Sequence, residues 1–147
     1  MPLYGKFNEK SQRVLENAQQ TAMGMKHKYL GTEHLLLGLL KEARNDVTSL
    51  PDHITSNNVR EAVMQLYVAE QEQPKSLDLT PKMKNLMENA VVYMNKNKMP
   101  AVTTSLLWYM LLEEQTSVAV RILSVYGCDI DQLRESAEAT LQKEKEN

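Results

Sequence analysis

The sequence predicts an all-α domain: eight helices arranged as a pseudo-two-fold duplication of a four-helix repeat. Three observations carry that expectation. Glycine and proline number five each in 147 residues, against nine methionines and one phenylalanine. Apolar residues recur three and four apart rather than in alternation, the spacing of helices and not of half-buried strands. The second half also repeats the first 72 residues further on. From Phe7 over Leu79 to Glu42 over Glu114, ten of 36 positions are identical without a gap, Glu16/Glu88, Asn17/Asn89, Thr32/Thr104, Leu35/Leu107 and Leu39/Leu111 among them. Two unrelated amphipathic helices would share leucine and alanine, but not an asparagine and a capping threonine at one offset.

The elements follow in order. Asn8 caps a first helix with Val14, Leu15, Ala18 and Ala22 on its apolar face, ending near Gly24. Gly31 breaks the chain, and Thr32 caps a second helix with Glu33 in its first turn and Leu35, Leu36, Leu39 and Leu40 facing inward. A short apolar piece at Val47 and Leu50 stands where the shortened third helix of this repeat falls. Ser56 or Asn57 opens the next helix, with Val59, Ala62, Val63 and Leu66 on one side, fading into the polar run Glu70 to Lys75. Thr80 and Pro81 then form a cap with proline at the first helical position. Leu86, Met87, Ala90, Val91 and Met94 line that helix. Thr104 caps one carrying Leu107, Trp108, Leu111 and Leu112, Thr116 or Ser117 opens one that stops at Gly127, and Asp129 caps the last, with Ile130, Leu133, Ala137 and Leu141 inward. The charged tail Lys143 to Glu146 is expected to fray. The chain 1–147 therefore reads as one domain, with repeat one at about 7–71, a linker at about 72–78 and repeat two at about 79–143.

Composition excludes several function classes. A net charge of −2 without any Lys/Arg block argues against nucleic acid. The longest apolar run, Leu106 to Leu112, is far short of a membrane span, and Met1 to Lys6 lacks the apolar core of a signal peptide. With Cys128 as the single cysteine, a reducing cytoplasm is the expected compartment. No zinc helix is expected at Glu33-His34, because position 38, where a second ligand would stand, is glycine. His34 reads as a buried helix residue bonding a loop, His27 and His53 as solvated, Cys128 as a packing residue and Gly38 as a point of close helix approach. The methionines read as core-filling residues; the alternative is a surface that re-packs around partners, with Met94 and Met99 as its exposed members. No catalytic residue, metal or cofactor is expected.

The strings Phe7-Asn8-Glu9-Lys10-Ser11-Gln12-Arg13-Val14-Leu15 and His27-Lys28-Tyr29-Leu30-Gly31-Thr32-Glu33-His34-Leu35-Leu36-Leu37-Gly38-Leu39-Leu40-Lys41-Glu42 closely resemble the N-terminal repeat domain of the Clp ATP-dependent unfoldases. The resemblance covers essentially the whole chain and implies an eight-helix pseudo-dimer that sits on a hexameric ATPase ring, docks adaptor proteins and captures unfolded or tagged substrates. The glycines never form the phosphate-binding Gly-x-x-x-x-Gly-Lys-Ser/Thr loop, so the expected partner is a Clp ring in cis or in trans. The alternative is a free-standing adaptor or regulator of the same fold. The resemblance further implies a small polar pocket for phosphorylated arginine at Asn8, Thr32, Glu33 and Thr80. Matched within each repeat, Glu33 stands with Asn8 where a threonine is usual, and Thr80 stands with Ser105 where the glutamate is usual. Weak or absent recognition of the mark is therefore expected, with Glu33 acting chiefly on its helix dipole.

Overall fold

The structure, a computed structural model, describes residues 5–67, 69–72 and 74–146. It is all-α apart from two two-residue strands: α1 Glu9–Gly24, β1 Tyr29–Leu30, α2 Thr32–Glu42, α3 Ser56–Leu66, β2 Asp78–Leu79, α4 Pro81–Lys96, α5 Thr104–Glu113, α6 Val118–Val125 and α7 Ile130–Glu146. Seven α-helices stand among the described residues where eight are expected. The missing one, which would match α6, is a single 3-10 turn at Arg44–Asp46. Pro51 ends the room for a helix there, and the Arg44 guanidinium donates to the carbonyls of Pro51 and Ile54, giving the loop's carbonyls a partner that helical bonding would otherwise supply.

Pseudo-two-fold pairing is written into the backbone. Asn8 N–H donates to the Val102 carbonyl at 3.1 Å, and Thr80 N–H donates to the Leu30 carbonyl at 3.0 Å; each bond maps onto the other when its residues are shifted by 72. The parallel bridge Phe7 to Val102 maps likewise onto the pair Leu30 to Leu79. The ends of α1 and α4 match as well, because Lys26 and Lys98, 72 residues apart, both take left-handed backbone at φ 58° and 54°. His27 N–H donates to Ala22 as Met99 N–H donates to Met94, both at 2.9 Å. Each repeat thus lends its leading strand to the other.

Capping follows local chemistry, displaced by one residue from the expectation at three helices. Asn8, Thr80, Ser117 and Asp129 cap as expected, each side chain accepting an amide three residues on. Thr55 and Thr103 take the cap instead of Ser56 and Thr104, and Gly31 precedes α2 in place of Thr32. The two displaced threonines serve the other repeat. Thr32 Oγ1 accepts from Ala119 N–H at the start of α6, and Thr104 Oγ1 donates to Asp46 in the 3-10 turn. Both side chains are buried at that junction, where an unpartnered hydroxyl would cost about 1 to 3 kcal/mol.

The core runs through both repeats. Helix α2 is buried along all of Thr32 to Leu40, packed between α1, α3, α5 and α6, and Trp108 of α5 is fully buried, its indole donating to the Ala43 carbonyl at 2.8 Å. A methyl on Gly38 would lie 2.5 Å from the Val14 carbonyl oxygen, so glycine is what lets α1 approach α2. Two expectations change. Leu66 is exposed, since only Val59 and Val63 of α3 are buried. Met94 is in the core and Met99 half-buried, as the core-filling reading has them, whereas Met64 stands exposed. The tail does not fray: α7 runs to Glu146, with Glu144 accepting from Thr103 and Ser105 and Lys145 donating to Tyr93 Oη at 3.0 Å.

Candidate functional site

Glu33 is 3% exposed although it opens a helix. Its burial is made possible by the residue two before it. A methyl on Gly31 would lie 2.2 Å from Glu33 Oε1, so the carboxylate folds back against bare backbone. The second repeat shows the converse: Thr103 holds the place of Gly31 and Ser105 that of Glu33, and the carboxylate accepting from both hydroxyls arrives from α7 as Glu144.

Around Glu33 lies a pocket of about 250 Å³ walled by His27, Lys28, Tyr29, His34, Tyr67, Glu70 and Thr80. The exchange of leading strands is what brings Thr80 here, since Thr80 is tied to Leu30. Of the four expected ligand-binding residues, Glu33 and Thr80 therefore share one pocket. Asn8 is tied to Val102 beside the start of α5, and Thr32 points its hydroxyl at α6; neither is a wall of the pocket. Matching within a repeat pairs Glu33 with Asn8, whereas the fold pairs it with Thr80.

Behind Glu33 sit two hydrogen-bonded histidines. His34 Nδ1 accepts the Gly31 amide at 3.0 Å, which leaves the ring proton on Nε2 to be donated to His27 Nδ1, also at 3.0 Å. His34 thus closes the cap that glycine cannot supply. Burial, and then the neighbouring His27, lower the His34 pKa to about 3, and burial also lowers that of His27 against the pull of Glu33. Both rings are neutral at pH 7. His27 is therefore buried and paired rather than solvated, while His53 is exposed as expected, with Nε2 2.8 Å from the Tyr126 carbonyl.

Tyr67, just past α3, closes the pocket. Its ring meets His27 edge-on at 5.3 Å; burial first, then hydrogen bonding to Glu33 and the Glu33 charge, push the phenol up to about 12. Lys28 lies 5.7 Å from the Tyr29 ring centre. Among the described residues no cation forms an ion pair with Glu33, so the pocket has a buried anion with a neutral partner and a lysine at its wall. Such a site suits a planar cation with a second, acceptor-bearing group. Tyr67 and Glu70 escape sequence reasoning because they lie where apolar periodicity gives way to a polar run.

Cys128 is half-buried with its thiol pushed up by burial, and no group of three His, Cys, Asp or Glu residues among the described ones is placed to hold a metal. No described helix is long and apolar enough to cross a membrane.

Comparison with known proteins agrees with this architecture. The ATP-dependent Clp protease ATP-binding subunit ClpC of Staphylococcus saprophyticus is 34% identical over 134 residues, 90% of this chain and 16% of that protein. The chain therefore spans about one-sixth of the length of such relatives. The N-terminal domain of the chaperone ClpD from Arabidopsis thaliana superposes with a TM-score of 0.77 at 24% identity, covering 94% of this chain and 96% of that one. A complex of the ClpV N-domain with a VipB peptide superposes at 0.70 with 18% identity, over 99% and 93% of the two chains. The profile of the Clp repeat (R) N-terminal domain matches residues 6–107 and again 78–147, so that duplicated helices, exchanged strands and sequence together say that this chain belongs to the Clp N-terminal domain family.

Proposed function

We propose that this chain is the non-catalytic protein-binding module of a Clp-type ATP-dependent unfoldase, docking adaptors and capturing unfolded or tagged polypeptides for unfolding and degradation by the ring. The observation that carries this reading is the Glu33 pocket, a buried carboxylate with no ion-pair partner among the described residues, beside an open cavity. The solved complex of a ClpV N-domain with a VipB peptide supports peptide binding by this kind of fold. Biolayer interferometry of the chain against reduced, carboxymethylated α-lactalbumin, with native α-lactalbumin as control, tests it. Binding to the unfolded protein and not to the native one is expected. Absent or equal binding contradicts the reading.

Within that function, Glu33 would pair with an arginine guanidinium, and the Thr80 hydroxyl with the Lys28 ammonium would take a phosphate on it. Because Glu33 faces Thr80 and not Asn8, binding of phosphoarginine is the expectation here rather than its absence. Isothermal titration with free phosphoarginine should give a one-site isotherm that Glu33→Ala abolishes. A flat titration of the unsubstituted chain returns Glu33 to a role in its helix alone.

A further inference from the structure

A second cavity, larger than the Glu33 pocket, is a groove of about 660 Å³ between α3 and α6, walled chiefly by Leu66, Tyr67, Val118, Ile122 and Val125, with Arg121 and Glu61 at its side. Such a volume exceeds that of any one side chain. Apolar surface is concentrated here: of the six large hydrophobic residues most exposed among the described ones, Leu66, Tyr67 and Val125 line the groove, and Val125 is 84% exposed. A fourth, Tyr29, lines the Glu33 pocket together with Tyr67. Tyr67 is thus a wall common to both cavities, its ring edge-on to His27 and its hydroxyl under the influence of the Glu33 carboxylate.

We infer that the two cavities form one composite site that binds a single polypeptide segment, an arginine side chain entering the Glu33 pocket while the apolar residues next to it lie in the α3–α6 groove. The occupant follows from charge and continuity. The Glu33 pocket carries the two carboxylates Glu33 and Glu70 against one lysine, its histidines being neutral, and so takes a cation. The groove that continues it past Tyr67 offers apolar walls of the kind that gain by removing aliphatic side chains from water. Arg121 and Glu61 both line the groove, so it carries no net charge of its own, and the preference for a cation belongs to the Glu33 pocket. The inference rests on the protein-binding reading above and adds which segments are chosen.

Fluorescence anisotropy with labelled Gly/Ser peptides tests it. One peptide has a central arginine flanked by leucines, a second has the same arginine flanked by serines, and a third has the leucine flanks with glutamine replacing the arginine. The leucine-flanked arginine peptide should bind at least about tenfold tighter than the serine-flanked one, as expected when roughly two side chains leave water. Val125→Asp, at an exposed position where folding is not at stake, should bring that ratio close to one, while Glu33→Gln should weaken both arginine peptides alike. Equal affinity for the two flanks in the unsubstituted chain, or a ratio that Val125→Asp leaves intact, overturns the inference and leaves the protein-binding reading standing. Full affinity of the glutamine peptide overturns it too, since the groove would then act alone. Failure of all three peptides to bind removes both.

Discussion

At the scale of single residues, two glycines do opposite kinds of work. Gly38 is structural: its missing methyl is the space occupied by the Val14 carbonyl oxygen, and backbone cannot yield as a side chain can. Gly38→Ala should therefore destabilise the fold by about 1 to 3 kcal/mol in urea unfolding, despite alanine's better helix propensity; an unchanged or raised midpoint would show that α1 and α2 are free to part. Gly31 is a site residue. Its missing methyl is filled by the movable end of Glu33, so Gly31→Ala should leave the melting temperature nearly unchanged while expelling the carboxylate and abolishing phosphoarginine binding. Loss of both together would deny the separation. The histidine pair makes a third prediction. Because the folded-state pKa of His34 lies near 3, below its ordinary 6.5, the unfolded chain takes up the proton first as pH falls. Stability is then complete above pH 6.5 and declines below it by about 1.4 kcal/mol per pH unit for each such proton, with His27 acting in the same direction. His34→Leu, which copies Leu106 of the other repeat, should flatten the decline between pH 6.5 and 5 in urea titrations; an unaltered slope would place the proton elsewhere.

Elements were legible in the sequence wherever a turn residue met helical periodicity, as at Asn8, Thr80-Pro81, Ser117 and Gly127. They were misplaced by one residue where a tertiary partner competed for the hydroxyl. Thr32 and Thr104 have the chemistry of caps, and nothing local says that Ala119 and Asp46 will claim them. The same reason hid the end of α7. Lys143 to Glu146 reads as a solvated tail until Glu144 meets Thr103 and Ser105, which are distant in sequence and adjacent in the fold. Glu144→Ala should accordingly lower amide-exchange protection in the last turn of α7 and remove about 1 to 2 kcal/mol of stability through the two hydroxyls left behind; protection equal to that of the unsubstituted chain would mean that the tail frays after all. The site was only half legible. Glu33 and Thr80 stood out through the resemblance, but that they line one pocket follows only from the exchange of first strands between the repeats.

On the scale of the whole molecule, duplication and function meet in that exchange. Each repeat's leading strand pairs with the other's second helix start, so the Glu33 pocket belongs to both repeats, its carboxylate from one and its threonine from the other. The duplicated geometry has diverged chemically: one copy keeps Gly31 and Glu33 beside open space, and the other fills the place with Thr103, Ser105 and a carboxylate from its own last helix. The working face proposed above runs from the Glu33 pocket past Tyr67 to the α3–α6 groove. The most direct test is amide NMR of the chain during titration with carboxymethylated α-lactalbumin. Shift changes gathered at residues 27–34, 66–67 and 118–126, and lost in Glu33→Ala, are what the account predicts; changes centred on Asn8 and Ser105, or none at saturating polypeptide, would contradict it.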